Sequence, residues 1–310
     1  MNRLRFYRGN GCWSYIGKQP TWTSQDISIG SGCEYHGTIT HEIGHALGFY
    51  HTQSRYDRDS WISVDFSNIP ADLQYNFEKQ TPATETHFGQ RYDYGSVMQY
   101  GPYAFASDPN KYTIRALYSE YQNSMGQREE PAFSDVRMMN WLYNCSMNCV
   151  NSAVPPCRQP GYQDPQSCNK CKCPRMFSGT YCEKLPTGSA TNCNGGVVQA
   201  TTTSWSTLRG TAGNPNDWTT RNTPTDCCWH ITAPAGRQIQ VRLSTPPNNC
   251  MEQCPWQAIE LNIGYFDMYG MIMCCQSAVG RTYTSVSNMV GVRGTVRYNQ
   301  LTFGLDFRLV

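Results

Sequence analysis

The chain has 310 residues, with 25 basic and 23 acidic side chains and a formal net charge of +2. That length invites two or three domains. The near balance of charge, without any Lys/Arg run, excludes the basic surface of a nucleic-acid binder. No stretch approaches about eighteen consecutive apolar residues, so no membrane insertion is expected. The sixteen cysteines, crowded in "CNKCKC" and in the doublets of "DCCWH" and "MCCQ", read as a disulfide framework made in an oxidising compartment. A zinc ribbon would need a second CxxC pair at ribbon spacing, which "CNKCKC" lacks. The protein is therefore expected to be secreted and extracellular, although "MNRLRFYRGNGCWSY" has the charges of a signal peptide without its apolar run.

From Met1 to about Cys145 the chain mixes strand-like alternation ("DISIG") with a helical stretch bearing a histidine cluster. From about Ser146 to Pro186 it is loop-rich and dense in cysteine, too small for its own apolar core and in need of staples. From about Cys193 onward, period-two alternation sets in. Ile239, Val241 and Leu243 alternate with polar residues, as do Ile259, Leu261 and Ile263. Leu301, Phe303, Leu305, Phe307 and Leu309 do so along a whole strand. With Gly/Pro-rich turns between the runs, this predicts an antiparallel sandwich.

The chemistry is concentrated in "HEIGHALGFYH" (41–51). A catalytic zinc takes three protein ligands and keeps one position open. His41 and His45 lie four residues apart, which on a helix puts both imidazoles on one face. Glu42 stands beside them, placed to take a proton from water at the metal. Gly48 is expected to stop the helix in the left-handed conformation, so that His51 returns as third ligand. Given the six His, ten Glu and twenty-six Gly of this chain, HExxHxxGxxH arises by chance with a probability of roughly 2 × 10⁻⁸ per starting position. His36, His87 and His230 have no partners at ligand spacing and are read as ordinary surface or core residues. Downstream, "YDYGSVMQYG" supplies Met98 as the apolar floor of a methionine turn. It also supplies Tyr100, a phenol within reach of the metal or of a developing oxyanion.

These residues resemble the astacin family of metzincin endopeptidases. The likeness runs through "GCWSYIG" (11–17), "GCEYHGTITHEIGHALGFYHTQSRYDRD" (32–59), "YDYGSVMQYGPYAF" (92–105) and "GQREEPAFSDVRMMNWLYNC" (126–145). The segment 149–182 looks like an EGF-like module. The remainder, with "CNGG", "DCCWHITAPAG" and "FGLDFRLV", looks like a CUB domain. The resemblance implies a multidomain α+β chain: a metzincin catalytic domain over 1–145, N-terminally incomplete, an EGF-like module over 146–186 and an antiparallel β-sandwich CUB domain over 187–310. It implies one Zn²⁺ per chain on His41, His45 and His51, Glu42 as general base, Met98 at the Met-turn and Tyr100 as the tyrosine that serves the transition state. It places Trp13 and Tyr15 on an edge strand that an extended peptide joins by strand addition. It places Arg128 where some relatives favour an acidic side chain just after the scissile bond. The implied bridges are Cys12–Cys33, Cys149–Cys168, Cys157–Cys171 and Cys173–Cys182. Cys145 is left over. Cys250 and Cys254 meet the Cys274–Cys275 doublet, and Cys193 meets Cys227 or Cys228.

Two positions depart from the family pattern. Thr52 stands where a glutamate usually anchors the freed N-terminus of the mature enzyme, and Gln99 replaces a histidine after Met98. The expected function is zinc-dependent hydrolysis of peptide bonds in extracellular proteins or peptides, with protein partners engaged through the EGF-like and CUB modules. The alternative is a catalytically impaired, truncated relative that acts through those modules alone. A purely structural zinc would fill its fourth position with Cys or His and ranks last. No carboxylate set for Ca²⁺ is recognised in the sandwich, and Asn144 in "NCS" is a crowded glycosylation acceptor. Limited proteolysis is expected to leave the region after Cys145 intact while 1–145 is cut first; equal resistance of the two would overturn the incomplete-domain reading.

Overall fold

The computed structural model describes residues 3–310. It is a mixed α+β structure whose chain divides into two compact units, Met1–Met138 and Met139–Val310.

In the first unit, strands β1 (Arg3–Tyr7), β2 (Cys12–Ser14) and β3 (Ser24–Ile29) form a sheet in the order β1-β3-β2. β1 runs parallel to β3 and β2 antiparallel to it. The alternation of "DISIG" lies on this central strand, where Ile27 is fully buried. The Cys12–Cys33 disulfide ties β2 to the approach of helix α1 (His36–Ala46). Gly37, His41, Gly44 and His45 are buried along one face of that helix, as helical spacing requires. The helix ends just before Gly48, which takes φ +109° and donates its N–H to the His45 carbonyl at 2.9 Å. Glycine accepts that left-handed backbone because it has no Cβ to clash. Beyond it, the antiparallel pair β4 (Ile62–Val64) and β5 (Ile114–Ala116) borders an apolar cluster of Ile69, Phe77, Tyr92, Tyr94 and Met125. Helix α2 (Phe133–Leu142) follows.

In the second unit, disulfides Cys149–Cys168, Cys157–Cys171 and Cys173–Cys182 staple a segment whose regular structure is the short antiparallel pair β6 (Tyr162–Gln163) and β7 (Cys171–Lys172). Then come β8 (Gly196–Gln199), β9 (Ser206–Gly213), β10 (Thr225–Thr232), β11 (Ile239–Thr245), β12 (Gln257–Asn262), β13 (Met271–Met273), β14 (Thr282–Thr284), β15 (Met289–Val296) and β16 (Gln300–Leu309). They form one sheet in the order β13-β12-β15-β10-β8 and another in the order β14-β11-β16-β9. Ile239, Val241, Leu243, Leu301, Phe303, Leu305, Phe307 and Leu309 are all buried. Trp229 meets Phe303 edge-to-face at 5.1 Å, and its indole N–H donates to the Asn194 carbonyl at 3.1 Å.

The sandwich departs from the alternation at three places. β8 pairs parallel with β10, because the chain crosses to the other sheet as β9 and returns in the direction it left. β12 stops one residue short of Ile263, where Asn262 Oδ1 accepts the Gly264 N–H at 3.0 Å and turns the backbone. Finally, every residue of β12 is buried, whereas the alternation predicts one wet face. Phe177, Met176 and Phe266 cluster beside it, against His230 of β10 and Gly291 of β15. The Arg175 guanidinium lies 3.5 Å from the Glu260 carboxylate, with Arg293 at 3.9 Å from the same oxygen.

The remaining bridges are Cys193–Cys227, Cys250–Cys275 and Cys254–Cys274. Adjacent strand residues point to opposite faces, so on β10 only Cys227 faces Cys193, and Cys228 is a buried thiol on the other side. Cys145 is also unbridged among the described residues.

Asp226 on β10 accepts from Arg293 Nε at 2.9 Å and from the Ser189 N–H and hydroxyl. Burial alone would raise its carboxyl, but Arg293 and Ser189 outweigh it and hold the group below the usual aspartate value. A depressed carboxylate stabilises the fold above its unfolded pKa and loses that contribution as pH falls through the folded one. Urea unfolding between pH 7 and pH 2 is thus expected to show stability falling below about pH 4. Asp226→Asn is expected to be less stable at pH 7 and to flatten that slope.

Candidate metal centre

The buried face of α1 carries His41 and His45, and the turn after Gly48 brings His51 back to them. His45 Nε2 lies 3.1 Å from His41 Nε2 and 3.0 Å from His51 Nε2. His41 Nδ1 is 2.7 Å from the Val97 carbonyl and His45 Nδ1 is 2.7 Å from the Phe49 carbonyl. A carbonyl only accepts, so both Nδ1 atoms carry the proton and both Nε2 atoms present lone pairs. Lone pairs facing one another at these distances repel unless a cation sits among them. A Zn–N bond of about 2.0–2.1 Å in tetrahedral geometry implies N···N near ~3.3 Å, within a few tenths of an ångström of the observed separations. Three imidazoles and no thiolate fit zinc. Burial, helped by the positive charge of Arg128, pushes the His41 imidazole down to about 3. His45 and His51 are lowered also, by burial first, so the neutral, ligating form prevails at neutral pH.

Glu42 is 4% exposed, and its Oε2 has no hydrogen-bond partner. Burial pushes its carboxyl up to about 7 against the pull of Arg128. A cation on the histidines would act in the opposite sense. An unsatisfied buried carboxylate oxygen is costly and marks a group kept for a ligand or a proton.

Met98 is buried, and its sulfur would lie 2.9 Å from a Cβ placed on Gly44, so the methionine seats against α1 between the two helical histidines. The ring of Tyr100 lies 4.3 Å from that of His51, backed by Phe77 and Phe105 at 5.7 and 5.6 Å. Burial pushes its phenol up to about 12, so it stays protonated. Arg128 donates from Nη1 to the carbonyls of Gln99 and Gln127. Its charge is felt by all three histidines, by Glu42 and by Tyr100. Gln99 is fully buried, accepting from the Tyr92 hydroxyl at 2.6 Å.

Trp13 and Tyr15 are placed elsewhere. They are exposed on and just beyond edge strand β2, in a ladder of edge-to-face contacts from Tyr7 through Trp13 and Tyr15 to Trp22. With Arg3, Arg5, Ser24 and Asp26 they line an open cleft of ≈ 430 Å³. Their backbone neighbourhood reaches α1 at Gly17, whose N–H donates to the His45 carbonyl at 2.8 Å. Of the other histidines, His36 is exposed with Nδ1 3.1 Å from the Glu129 carbonyl. His87 Nε2 lies 2.9 Å from the Tyr56 hydroxyl. His230 is buried with Nε2 2.8 Å from the Met176 carbonyl.

Several supporting residues carried no motif. Gln53 Oε1 accepts the Tyr100 N–H at 3.1 Å. Ser96 and Asp135 pin the chain that carries the Val97 carbonyl. Asp135 also accepts the Ala132 N–H at 2.9 Å, at the start of α2. At Gly37 backbone closes in directly: a Cβ there would lie 2.1 Å from the Arg128 carbonyl oxygen.

Residues 1–144 match the astacin family of peptidases. The zinc metalloproteinase nas-28 of Caenorhabditis elegans is 49% identical over 312 residues, which are 100% of this chain and 62% of the relative. The zinc metalloproteinase nas-27 of the same organism is 35% identical over 99% of this chain and 74% of its own length. The chain thus spans only part of the length of these relatives. Among solved structures, the high choriolytic enzyme 1 of Oryzias latipes (Medaka fish), a hatching enzyme zinc-protease, is 36% identical over 46% of this chain and 68% of its own, with a TM-score of 0.42.

Because backbone rather than a flexible side chain blocks position 37, Gly37→Ala is expected to displace either α1 or the strand of chain bearing Arg128. Thermal melting and bound-zinc analysis are expected to show a Tm lower by several degrees and zinc lost at substoichiometric chelator. Wild-type values in both would contradict the contact.

Proposed function

As a member of the astacin family of zinc metallopeptidases, this chain carries its cofactor on His41, His45 and His51, and we propose that it is a secreted endopeptidase that hydrolyses peptide bonds of extracellular proteins. One observation carries the reading: the partnerless, buried carboxylate oxygen of Glu42 beside three histidines whose Nε2 atoms converge. When bound, the zinc supplies Lewis acidity toward a peptide carbonyl. Glu42 takes the proton of the attacking water and later passes it to the leaving amine. Tyr100, protonated and held against His51, donates a hydrogen bond to the oxyanion as it forms. Met98 closes the site from below and keeps water from beneath the ligands.

Substrate would lie along the free edge of β2, presenting Trp13 and Tyr15, and pair by strand addition. The Arg128 guanidinium would receive an acidic side chain just after the scissile bond. We assign 1–145 to the catalytic domain, 146–186 to an EGF-like module and 187–310 to a CUB domain. The three disulfides within 149–182 and the two-sheet sandwich after them support that division. The seven bridges support an extracellular setting, and no helix among the described residues is long and apolar enough to cross a membrane. Through the EGF-like and CUB modules the protein would engage extracellular protein partners.

With a quenched-fluorescence peptide library, Glu42→Ala is expected to keep zinc and lose cleavage by about 10²–10⁴-fold, the size of a general-base contribution. Arg128→Ala is expected to lower the preference for Asp or Glu after the scissile bond at least about tenfold, as when one partner of a buried charge pair is removed. A zinc-loaded wild type without Glu42-dependent cleavage would refute the endopeptidase reading.

A further inference from the structure

The polar chain behind the histidines begins at helix α2 and ends at the metal ligands. Asp135, 4% exposed, accepts from the Ser96 hydroxyl at 2.6 Å on Oδ1, and from the N–H groups of Val97 at 2.8 Å and Ala132 at 2.9 Å on Oδ2. Ser96 Oγ in turn accepts from the Thr52 hydroxyl at 2.9 Å and from the Met98 N–H at 3.1 Å. Thr52 N–H donates to the Met98 carbonyl at 3.1 Å. Thr52 directly follows the ligand His51, and the Val97 carbonyl takes the Nδ1 proton of the ligand His41.

Every polar group of the 96–98 stretch on this path is therefore committed, and the two ends of the path are two metal ligands. The hydroxyl protons have one arrangement: Asp135 only accepts, so Ser96 must donate to it, and Thr52 must donate to Ser96. Direction is thereby imposed from the carboxylate outward. The Val97 peptide cannot rotate without breaking its N–H bond to Asp135, so its carbonyl stays aimed at His41 and holds that imidazole in the Nδ1–H tautomer.

We propose that Asp135 is a positioning residue of the metal centre, acting through Ser96 and the Val97 peptide on His41 and through Thr52 on the segment that carries His51. The proposal rests on the reading of the histidines as a zinc site and goes beyond it, since neither Asp135 nor Ser96 touches the metal position. Outer partners of this kind, when removed, typically cost 10–100-fold in metal affinity.

The neighbouring Ser134 supplies the control. Its hydroxyl donates to Asp93 at 2.6 Å, a buried bond from the same helical turn that continues to the Gly95 and Ser96 N–H groups and touches neither the Val97 peptide nor the Thr52–Ser96–Asp135 hydroxyl path. In the full chain, zinc affinity is measured by competition with a chromogenic chelator, the ligand field by the visible bands of the Co²⁺-substituted protein, and fold by thermal melting of the metal-free form. Ser96→Ala and Asp135→Asn are expected to weaken zinc binding about 10–100-fold and to shift the Co²⁺ bands. Thr52→Val is expected to weaken zinc by a smaller factor that Thr52→Ser restores, and it serves if Asp135→Asn does not fold. Ser134→Ala is expected to lower Tm with wild-type zinc affinity and Co²⁺ spectrum. Zinc affinity unchanged in Ser96→Ala and Thr52→Val, or reduced equally in Ser134→Ala, would overturn the positioning role while leaving the zinc site intact. A wild type that binds no zinc would overturn both.

Discussion

Three imidazole nitrogens aimed at one point, inside a protein, are the constraint around which the first unit is organised. The backbone carbonyls of Val97 and Phe49 lock His41 and His45 in the tautomer that turns their Nε2 lone pairs toward that point. Such an arrangement is unfavourable in the apo chain and becomes favourable only with a cation. Folding and metal binding are in this sense one equilibrium. The helix, the glycine stop after it and the Met98 floor are the geometry needed to bring donors four and ten residues from His41 to the same place.

The same pressure explains the electrostatics nearby. Arg128 is a partly buried cation beside the histidines; burial lowers its own pKa, and its charge adds to the burial that lowers theirs. Its guanidinium is held by two carbonyls and lies in the field of the Glu42 and Asp135 carboxyls. One carboxylate, Asp135, is fully satisfied by hydrogen bonds, and the other, Glu42, has an oxygen to spare. Two acids within one charged neighbourhood are thereby separated into one whose oxygens are all committed and one with an oxygen free, by hydrogen bonding more than by sequence context.

Sequence periodicity and spacing revealed much of this and missed the rest for identifiable reasons. The histidine spacing specified both a helix face and its stop, because 3.6 residues per turn leaves few alternatives. The alternating runs at 239–243 and 301–309 named their inward residues correctly, since two packed sheets enforce a period of two. The alternation failed on β12, because it predicts which face looks inward and not whether something lies on the other. It was also silent on Gly37, whose reason is a backbone ninety-one positions later. Ser96, Gln53 and Asp135 escaped for a related cause: hydrogen-bond partners distant in sequence leave no local pattern. Between Cys227 and Cys228 the choice lay in which side of β10 faces Cys193, a property of register.

Glu260 shows what the covered face of β12 entails. Its carboxylate sits at 1% exposure, and the nearest cation, Arg175, comes from a stapled segment that precedes the sandwich in the chain. Take that segment away and the buried acid would keep the Gly270 N–H on Oε1 and the more distant Arg293, and lose its nearer cation. Modules strung along secreted chains are commonly treated as beads that evolution or an expression vector can cut and reorder. Here the ion pair joins the Met176 carbonyl on His230 and the Phe177–Phe266 contact in tying the stapled segment to the strands after it, and a cut between the two would divide a charge from its counterion.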